Sequence, residues 1–383
     1  MSDNLEVNPL NHKPVLMLVQ PIIAAYRVPE FEEMAKDWLI DVYADIPDAK
    51  QGFGSLALDK EKFRSITATP TYSLLNGKLN YQSGLLKGLL HKKPDAIFIT
   101  ANIRSISYWL ILIAAFLYRI PLYSHGQGLY RKTSLNFFLR AMYSLIVGLS
   151  TAYICYSELS RQSMIKHRVA FSYKIKVAEN SLRNFYPILP TNKNHEEMGV
   201  MFIGRLRHGS NIQLLIEVLD ELRGEYPNLS LHVLGNGTEY KKLEDKQQHN
   251  DWIKLYGSVY DQQKIAEISK HCFVGCYPGD AGLSVVHYMS MSLVPIVHDS
   301  LHFHMGPEPS YVINKQNGIC FQRNNAKETL SIALKYLLSN RSEVRRLSEA
   351  AFNSYIRLTE PPLGMRFSNI LKQQHSALAR EQT

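Results

Sequence analysis

Residues 274–300 read VGCYPGDAGLSVVHYMSMSLVPIVHDS, and their pattern fixes the architecture of the second half of the chain. The apolar run Phe273–Tyr277 has the length of a buried strand, and Pro278-Gly279-Asp280-Ala281-Gly282 breaks it. Leu283, Val286, Met289 and Leu293 then recur at helical spacing, and Val294-Pro295-Ile296-Val297 is the next strand. Strand, glycine loop, helix and strand in succession make a parallel crossover unit. A glycine turn at a helix start leaves backbone N–H groups unpaired at the positive end of the helix dipole, which suits a phosphate.

Outward from this unit the same alternation continues. Gly199–Ile203, Leu229–Leu234 and Ile253–Leu255 read as strands. Asn211–Glu225, Glu239–His249 and Asp261–Lys270 read as helices between them. Gly318–Phe321 is a last strand, and Lys327–Leu338, Glu343–Ile356 and Met365–Gln373 are terminal helices. The first half repeats the scheme, with strands at Pro14–Gln20, Leu39–Ala44, Ala96–Thr100, from Pro121, Ala152–Tyr156 and Lys174–Ala178. Its helices are Pro29–Trp38, Ser105–Leu117, Ser134–Gly148 and Glu158–His167. The expectation is an α/β protein of two doubly wound, Rossmann-like domains facing across a cleft. The boundaries are 1–185, a linker at 186–197, 198–360, and a tail at 361–383. Ligands of open α/β sheets bind at the carboxyl ends of the strands, so two such sheets predict a site between them.

Composition bounds the rest. The chain has 383 residues with 45% apolar content, enough for two cores. Four cysteines are too few for a disulfide framework at this length, and Cys272 and Cys276 lack a histidine partner at ligand spacing. They read as buried apolar thiols in a reducing compartment. The start, MSDNLEVNPLNHK, is polar and carries no signal-peptide pattern. Ile106–Ile120 is the most hydrophobic run; at fewer than the ~20 residues of a spanning helix, it reads as a buried helix. The location expected is cytoplasmic, either free or peripheral on the cytoplasmic face of the inner membrane. Charge is uneven: residues 1–185 hold 22 Lys and Arg against 14 Asp and Glu, the remainder 21 against 20. Within 78–176 only Asp95 and Glu158 are acidic, against 14 basic residues. Such a face suits a solvated surface, an anionic lipid surface or a phosphate-bearing acceptor. The basic residues are scattered through apolar helices with no nucleic-acid motif, so no nucleic acid is expected.

Three further loops sit at strand ends: Gly204-Arg205-Leu206, Gly235-Asn236-Gly237 and Tyr256-Gly257-Ser258-Val259-Tyr260. A dinucleotide fingerprint needs a third glycine where Tyr240 stands, which makes a dehydrogenase reading of the second loop poor. Arg205 at a strand-to-helix turn, with Arg207 and His208 beside it, suits a diphosphate.

In this order the parts resemble the donor domain of retaining family 4 glycosyltransferases of the GT-B fold. The resemblance covers about residues 198–325 well and 13–185 more loosely, where Val177–Leu182 (VAENSL) is similar to the end of that family's first domain. Tyr26–Phe31 (YRVPEF) resembles bacterial surface-polysaccharide members. The resemblance implies a nucleotide-diphosphate sugar as donor, a glycan or lipid-linked acceptor, no cofactor, no metal, and a C-terminal helix that crosses back onto the first domain. It further implies that Arg205, Arg207 and the backbone of Gly282, Leu283 and Ser284 hold the diphosphate. Gly204, Ser258, Val259, Tyr260 and His287 would hold the nucleoside. His125, in Ser124–Gly128 (SHGQG), matches the family's active-site histidine.

The chain departs from that pattern in three ways. Ser210 and Asn211 stand where the family carries a lysine. Gly279 and His287 stand where it carries two glutamates. His304–Glu308 (HMGPE) resembles a segment of polysaccharide glycosyltransferases, making Glu308 or Asp280 the candidate for the missing carboxylate. The cluster His287, His298, His302 and His304 has irregular spacing for a metal site. The same departures leave open a non-catalytic GT-B-fold subunit of a polysaccharide assembly complex, and a sugar-nucleotide epimerase.

Overall fold

A computed structural model describes residues 13–45 and 58–381, with side chains to residue 374. The polar start of the chain lies outside the described residues through residue 12.

The first half alternates β1 (Val15–Ile22), α1 (Val28–Met34), β2 (Leu39–Asp45), β3 (Ser65–Ala68), β4 (Thr71–Leu74), β5 (Leu79–Gln82), α2 (Leu85–Lys92), β6 (Ala96–Thr100), α3 (Ile106–Leu117), β7 (Leu122–Gly126), α4 (Phe137–Leu149), β8 (Ala152–Cys155), α5 (Glu158–Lys166) and β9 (Ile175–Val177). Seven of these strands form one parallel sheet in the order β3-β2-β1-β6-β7-β8-β9. β4 and β5 form a separate antiparallel hairpin. Apolar side chains on one face of the sheet pack under α2, α3 and α4 through Leu85, Ile111, Leu112 and Ile146. The opposite face packs under α1 and the end of the chain through Phe31, Met34, Phe367 and Leu371.

The second half runs β10 (Gly199–Ile203), α6 (Ile212–Arg223), β11 (Ser230–Leu234), α7 (Tyr240–Gln247), β12 (Ile253–Leu255), α8 (Gln262–Ser269), β13 (Cys272–Cys276), α9 (Ser284–Ser290), β14 (Val294–His298), β15 (Ile319–Phe321), α10 (Ala326–Ser339), α11 (Arg341–Thr359) and α12 (Leu363–Glu381). Its sheet is parallel, in the order β12-β11-β10-β13-β14-β15. Strand order reverses between β1 and β6 and again between β10 and β13, so each sheet has a switch-point crevice at its carboxyl end. Residues 186–197 lie along the second half, where Ile188 is buried in its core and donates its N–H to Ser290 O at 3.0 Å.

α12 crosses back to the first sheet. Gly364 N–H donates to the buried Glu30 carboxylate at 2.8 Å, and Tyr123 Oη donates to Leu371 O at 3.1 Å. One expectation is corrected. Ile106–Leu117 is a helix but not a buried one, because Leu117 is 70% exposed and Leu110, Ile113 and Phe116 also face solvent. Ser107 apart, the helix is apolar all round, so its periodicity does not say which side turns outward. Cys272 and Cys276 are fully buried as expected, as is Cys155, and Cys320 is half-buried. No described helix is long and apolar enough to cross a membrane.

Candidate active site

The loops after β10 and β13 are bound to each other. Asp280 N–H donates to Gly209 O at 2.8 Å, and Gly279 N–H donates to Ser210 O at 3.1 Å. A Cβ on Gly279 would lie 2.2 Å from Gly209 O, so only glycine permits this approach. The contact sets Arg207 beside Asp280: both side chains flank Gly209, at 3.8 and 3.2 Å from its Cβ position. Arg207 Nε and Nη2 are buried and make no hydrogen bond among the described residues. Tyr277, whose phenol is pushed up by burial and drawn back by Arg207, stacks on Phe202 at 4.7 Å below them. Arg205, by contrast, is exposed.

The glycine loop leads into α9. The first backbone bonds of the turn run from Val285 N–H to Gly282 O at 3.2 Å and from Val286 N–H to Leu283 O at 3.0 Å. The amides of Gly282, Leu283 and Ser284 precede them. His304 holds this loop in place: Ala281 N–H donates to its Nδ1 at 3.1 Å, so its Nε2 carries the proton and donates to His298 O at 3.0 Å. His298 stacks on His304 with ring centres 3.7 Å apart. His298 Nδ1 accepts from Ser300 N–H at 3.2 Å, which puts its proton on Nε2, unpartnered and 4.0 Å from Asp280 Oδ1. Burial, chiefly, lowers His298 to about 3 and His304 to about 4, so both are neutral rings. No set of three metal-ligating side chains occurs among the described residues.

Across the cleft, β7 carries His125 as its next-to-last residue. The ring is buried against Tyr156 (4.4 Å), Phe367 of α12 (4.8 Å) and Phe98 (5.3 Å), and its Nε2 is buried without a partner. Burial and then the Arg27 charge hold it well below the ordinary histidine value. Glu308 is buried at 2% exposure. Its Oε1 accepts from Asn180 Nδ2, and Asn180 Oδ1 accepts from Arg27 Nη2. The Glu308 carboxyl is raised by burial, with Asn180 and Arg27 pulling the other way. Its second oxygen lies 3.7 Å from the Cβ position of Gly282. Tyr130 Oη donates to His304 O at 2.9 Å, and Tyr311 Oη donates to the carbonyls of Tyr156 and Asn180 at 3.2 Å each.

Among the residues singled out in the sequence, Gly204, Arg205, Arg207, Asp280, Gly282, Leu283, Ser284 and Glu308 gather at the β10/β13 switch point. His125 faces them from the first domain. Ser258, Val259 and Tyr260 follow β12 two strands away; the tie is Gly235 N–H to Gly257 O at 2.7 Å. Ser258 and Tyr260 are exposed there. His287 lies on α9 with Nδ1 buried and unpartnered, lowered by burial to about 4. Sequence reasoning missed Arg27, Tyr130, Tyr156, Asn180, Tyr277, His298 and Tyr311 as site residues. Tyr156, Asn180 and Tyr277 each follow a parallel strand at its carboxyl end, and that placement was the available signal.

Residues 190–354 match the family of glycosyl transferases group 1. The matched stretch takes in the β10–β15 sheet and every loop of the glycine-rich side of the site. Over most of the chain the fold is similar to solved structures of low identity. HepE from Anabaena, solved with UDP, aligns at a TM-score of 0.68 and 15% identity, over 94% of this chain and 100% of that one. Sucrose-phosphate synthase from Thermosynechococcus elongatus aligns at 0.67 and 14%, over 95% and 100%. The lipopolysaccharide outer core galactosyltransferase WaaB aligns at 0.63 and 13%, over 94% and 99%. No curated protein matches the sequence. The shared architecture is GT-B: two Rossmann-like domains with a C-terminal helix returned to the first.

Proposed function

We propose that this protein is a retaining glycosyltransferase that moves a hexosyl group from a nucleotide-diphosphate sugar to a hydroxyl of a glycan or lipid-linked acceptor in bacterial surface-polysaccharide assembly. The observation that carries the reading is Arg207, half-buried beside the glycine loop of the group 1 match, with its Nε and Nη2 buried and unpaired. A half-buried cation with free donors at a switch point asks for an anion. The neighbour HepE has been solved with UDP-glucose, which supports a diphosphate sugar as that anion.

In the reaction the anomeric C–O bond to the diphosphate breaks, and a bond to the acceptor oxygen forms on the same face. The acceptor proton passes to the departing phosphate oxygen. Arg205, Arg207 and the Gly282–Ser284 amides stabilise the negative charge as it develops. His125, neutral at physiological pH, positions the donor sugar with its one N–H. Asp280, half-open to the cleft and flanked by Arg207 and His298, is the carboxylate that meets the sugar. Glu308, sealed between Asn180 and the Gly282 loop, positions that loop and ties the two domains. The nucleoside lies against Gly204 and Ser258–Tyr260, with His287 on a ribose or phosphate oxygen.

The test follows nucleotide release from UDP-sugars with glycan and glycolipid acceptors, and the anomeric configuration of the product by NMR. Acceptor-dependent release with retained configuration is expected. An inverted product removes the retaining assignment. Donor binding without turnover supports the non-catalytic subunit, the reading favoured by His287 standing where a carboxylate is expected.

A further inference from the structure

The face of the first domain formed by α2, α3 and α4 carries an apolar surface that the chain itself does not cover. These three helices turn their inner stripes to the same side of the sheet, so their outer stripes share one side of the molecule. Leu90 of α2 and Leu110, Ile113 and Leu117 of α3 are exposed there. Phe137 and Phe138 open α4 at 76% and 71% exposure, among the most exposed large apolar side chains of the described residues. Ordinary monomers do not leave apolar side chains grouped this way without use for them.

The charge around this surface is predominantly positive. No acid occurs between Asp95 and Glu158. Exposed Lys92 and Lys93 end α2, exposed Arg119 follows α3, and exposed Arg131 and Lys132 lie just before α4. Apolar side chains ringed by cations match a bilayer whose headgroups are anionic: the cations meet phosphates while the apolar groups enter the acyl boundary. A second copy of the chain would set cation against cation, which disfavours self-association.

The edge of the surface also adjoins the site. β7 delivers His125, and the same connection carries Tyr130, bonded across the cleft to His304, then Arg131 and Lys132, then Phe137 and Phe138. We propose that the outer face of α2, α3 and α4 seats this protein on an anionic lipid bilayer, with Phe137 and Phe138 inserted and Arg131 and Lys132 on headgroup phosphates. An acceptor held in that bilayer then reaches the cleft along the Arg131–Phe138 edge. This last step rests on the glycosyltransferase reading; the seating itself does not.

The experiment floats the full chain with vesicles of phosphatidylcholine alone and of phosphatidylcholine with phosphatidylglycerol, at low and high salt, with nucleotide binding measured separately. Expected is flotation with the anionic vesicles only. F137S/F138S should weaken it by roughly tenfold or more with an unchanged melting temperature, and R131E/K132E should abolish the low-salt binding. Wild-type protein that stays off anionic vesicles overturns the proposal. So does F137S/F138S binding as tightly as wild type. Concentration-dependent dimerisation that F137S/F138S reverses overturns it too, assigning the face to a second copy. Nucleotide binding is read independently, so failure of the bilayer contact and failure of the donor site are distinguishable.

Discussion

Arg207 holds two buried N–H groups without partners, an arrangement that costs stability unless an anion completes it. Removing the side chain removes that cost together with the donor site. Arg207→Ala is therefore expected to melt no lower than wild type while its nucleoside diphosphate affinity drops by roughly 30-fold, the worth of about 2 kcal/mol of charge-assisted bonding. Calorimetric titration and a melting curve read both; unchanged affinity contradicts the assignment. The two carboxylates separate in the same way. Asp280→Asn should lower kcat by about a hundredfold at constant stability. Glu308→Gln keeps an oxygen for Asn180 and should cost about tenfold or less. The opposite ranking in steady-state kinetics would move the role to Glu308. At this scale the sequence showed Arg207, Asp280 and Glu308 as neighbours of glycine turns. It could not show Asn180 and Arg27, because their link to Glu308 joins residues more than a hundred positions apart and exists only once the domains meet.

Among the elements, α12 decides whether the first domain is complete. Its Phe367 seals the His125 pocket and its start docks on α1. A Cβ at Gly364 would lie 2.0 Å from Glu30 O, so Gly364→Ala must push the helix start away from α1. Lower stability with a loss of transfer activity is expected, measured by melting and by turnover; a variant as stable as wild type would show that the helix start has freedom to move. The crossover helix was expected from residue 365 and begins at Leu363. The parallel strands other than β3 were legible because buried strands in such sheets are short apolar runs between glycine turns, whereas β3 is half exposed. The hairpin of β4 and β5 was not: all four residues of β4 are exposed, so no alternation marks it. α3 failed in the opposite sense, its twelve residues being too uniformly apolar to reveal the exposed stripe.

Over the whole molecule, burial keeps a set of histidines neutral. His125, His195, His232, His287, His298 and His304 are all lowered, each chiefly by burial. A lowered folded value means that the unfolded chain binds the proton first as pH falls. The stability is present above about pH 6.5, the unfolded value, and drains away below it at up to about 1.4 kcal/mol per pH unit for each such histidine. Glu179 and Glu308, raised by burial, act in the opposite sense but are two against six. The melting temperature should therefore fall steeply between pH 6.5 and about 5, with net proton uptake on unfolding; a flat profile there would contradict the buried neutral rings.

The central claim is that the switch point of the second sheet binds the diphosphate of a nucleotide sugar. It is tested most directly by thermal shift of wild type and Arg207→Ala against UDP, GDP, dTDP, ADP and CMP without added metal. A ligand held only by the folded state raises stability by about 2.7 kcal/mol at a hundred times its dissociation constant. The account predicts that at least one nucleoside diphosphate, UDP first among them, stabilises wild type and that Arg207→Ala loses the effect. Silence towards all five, or equal stabilisation of both proteins, would contradict it.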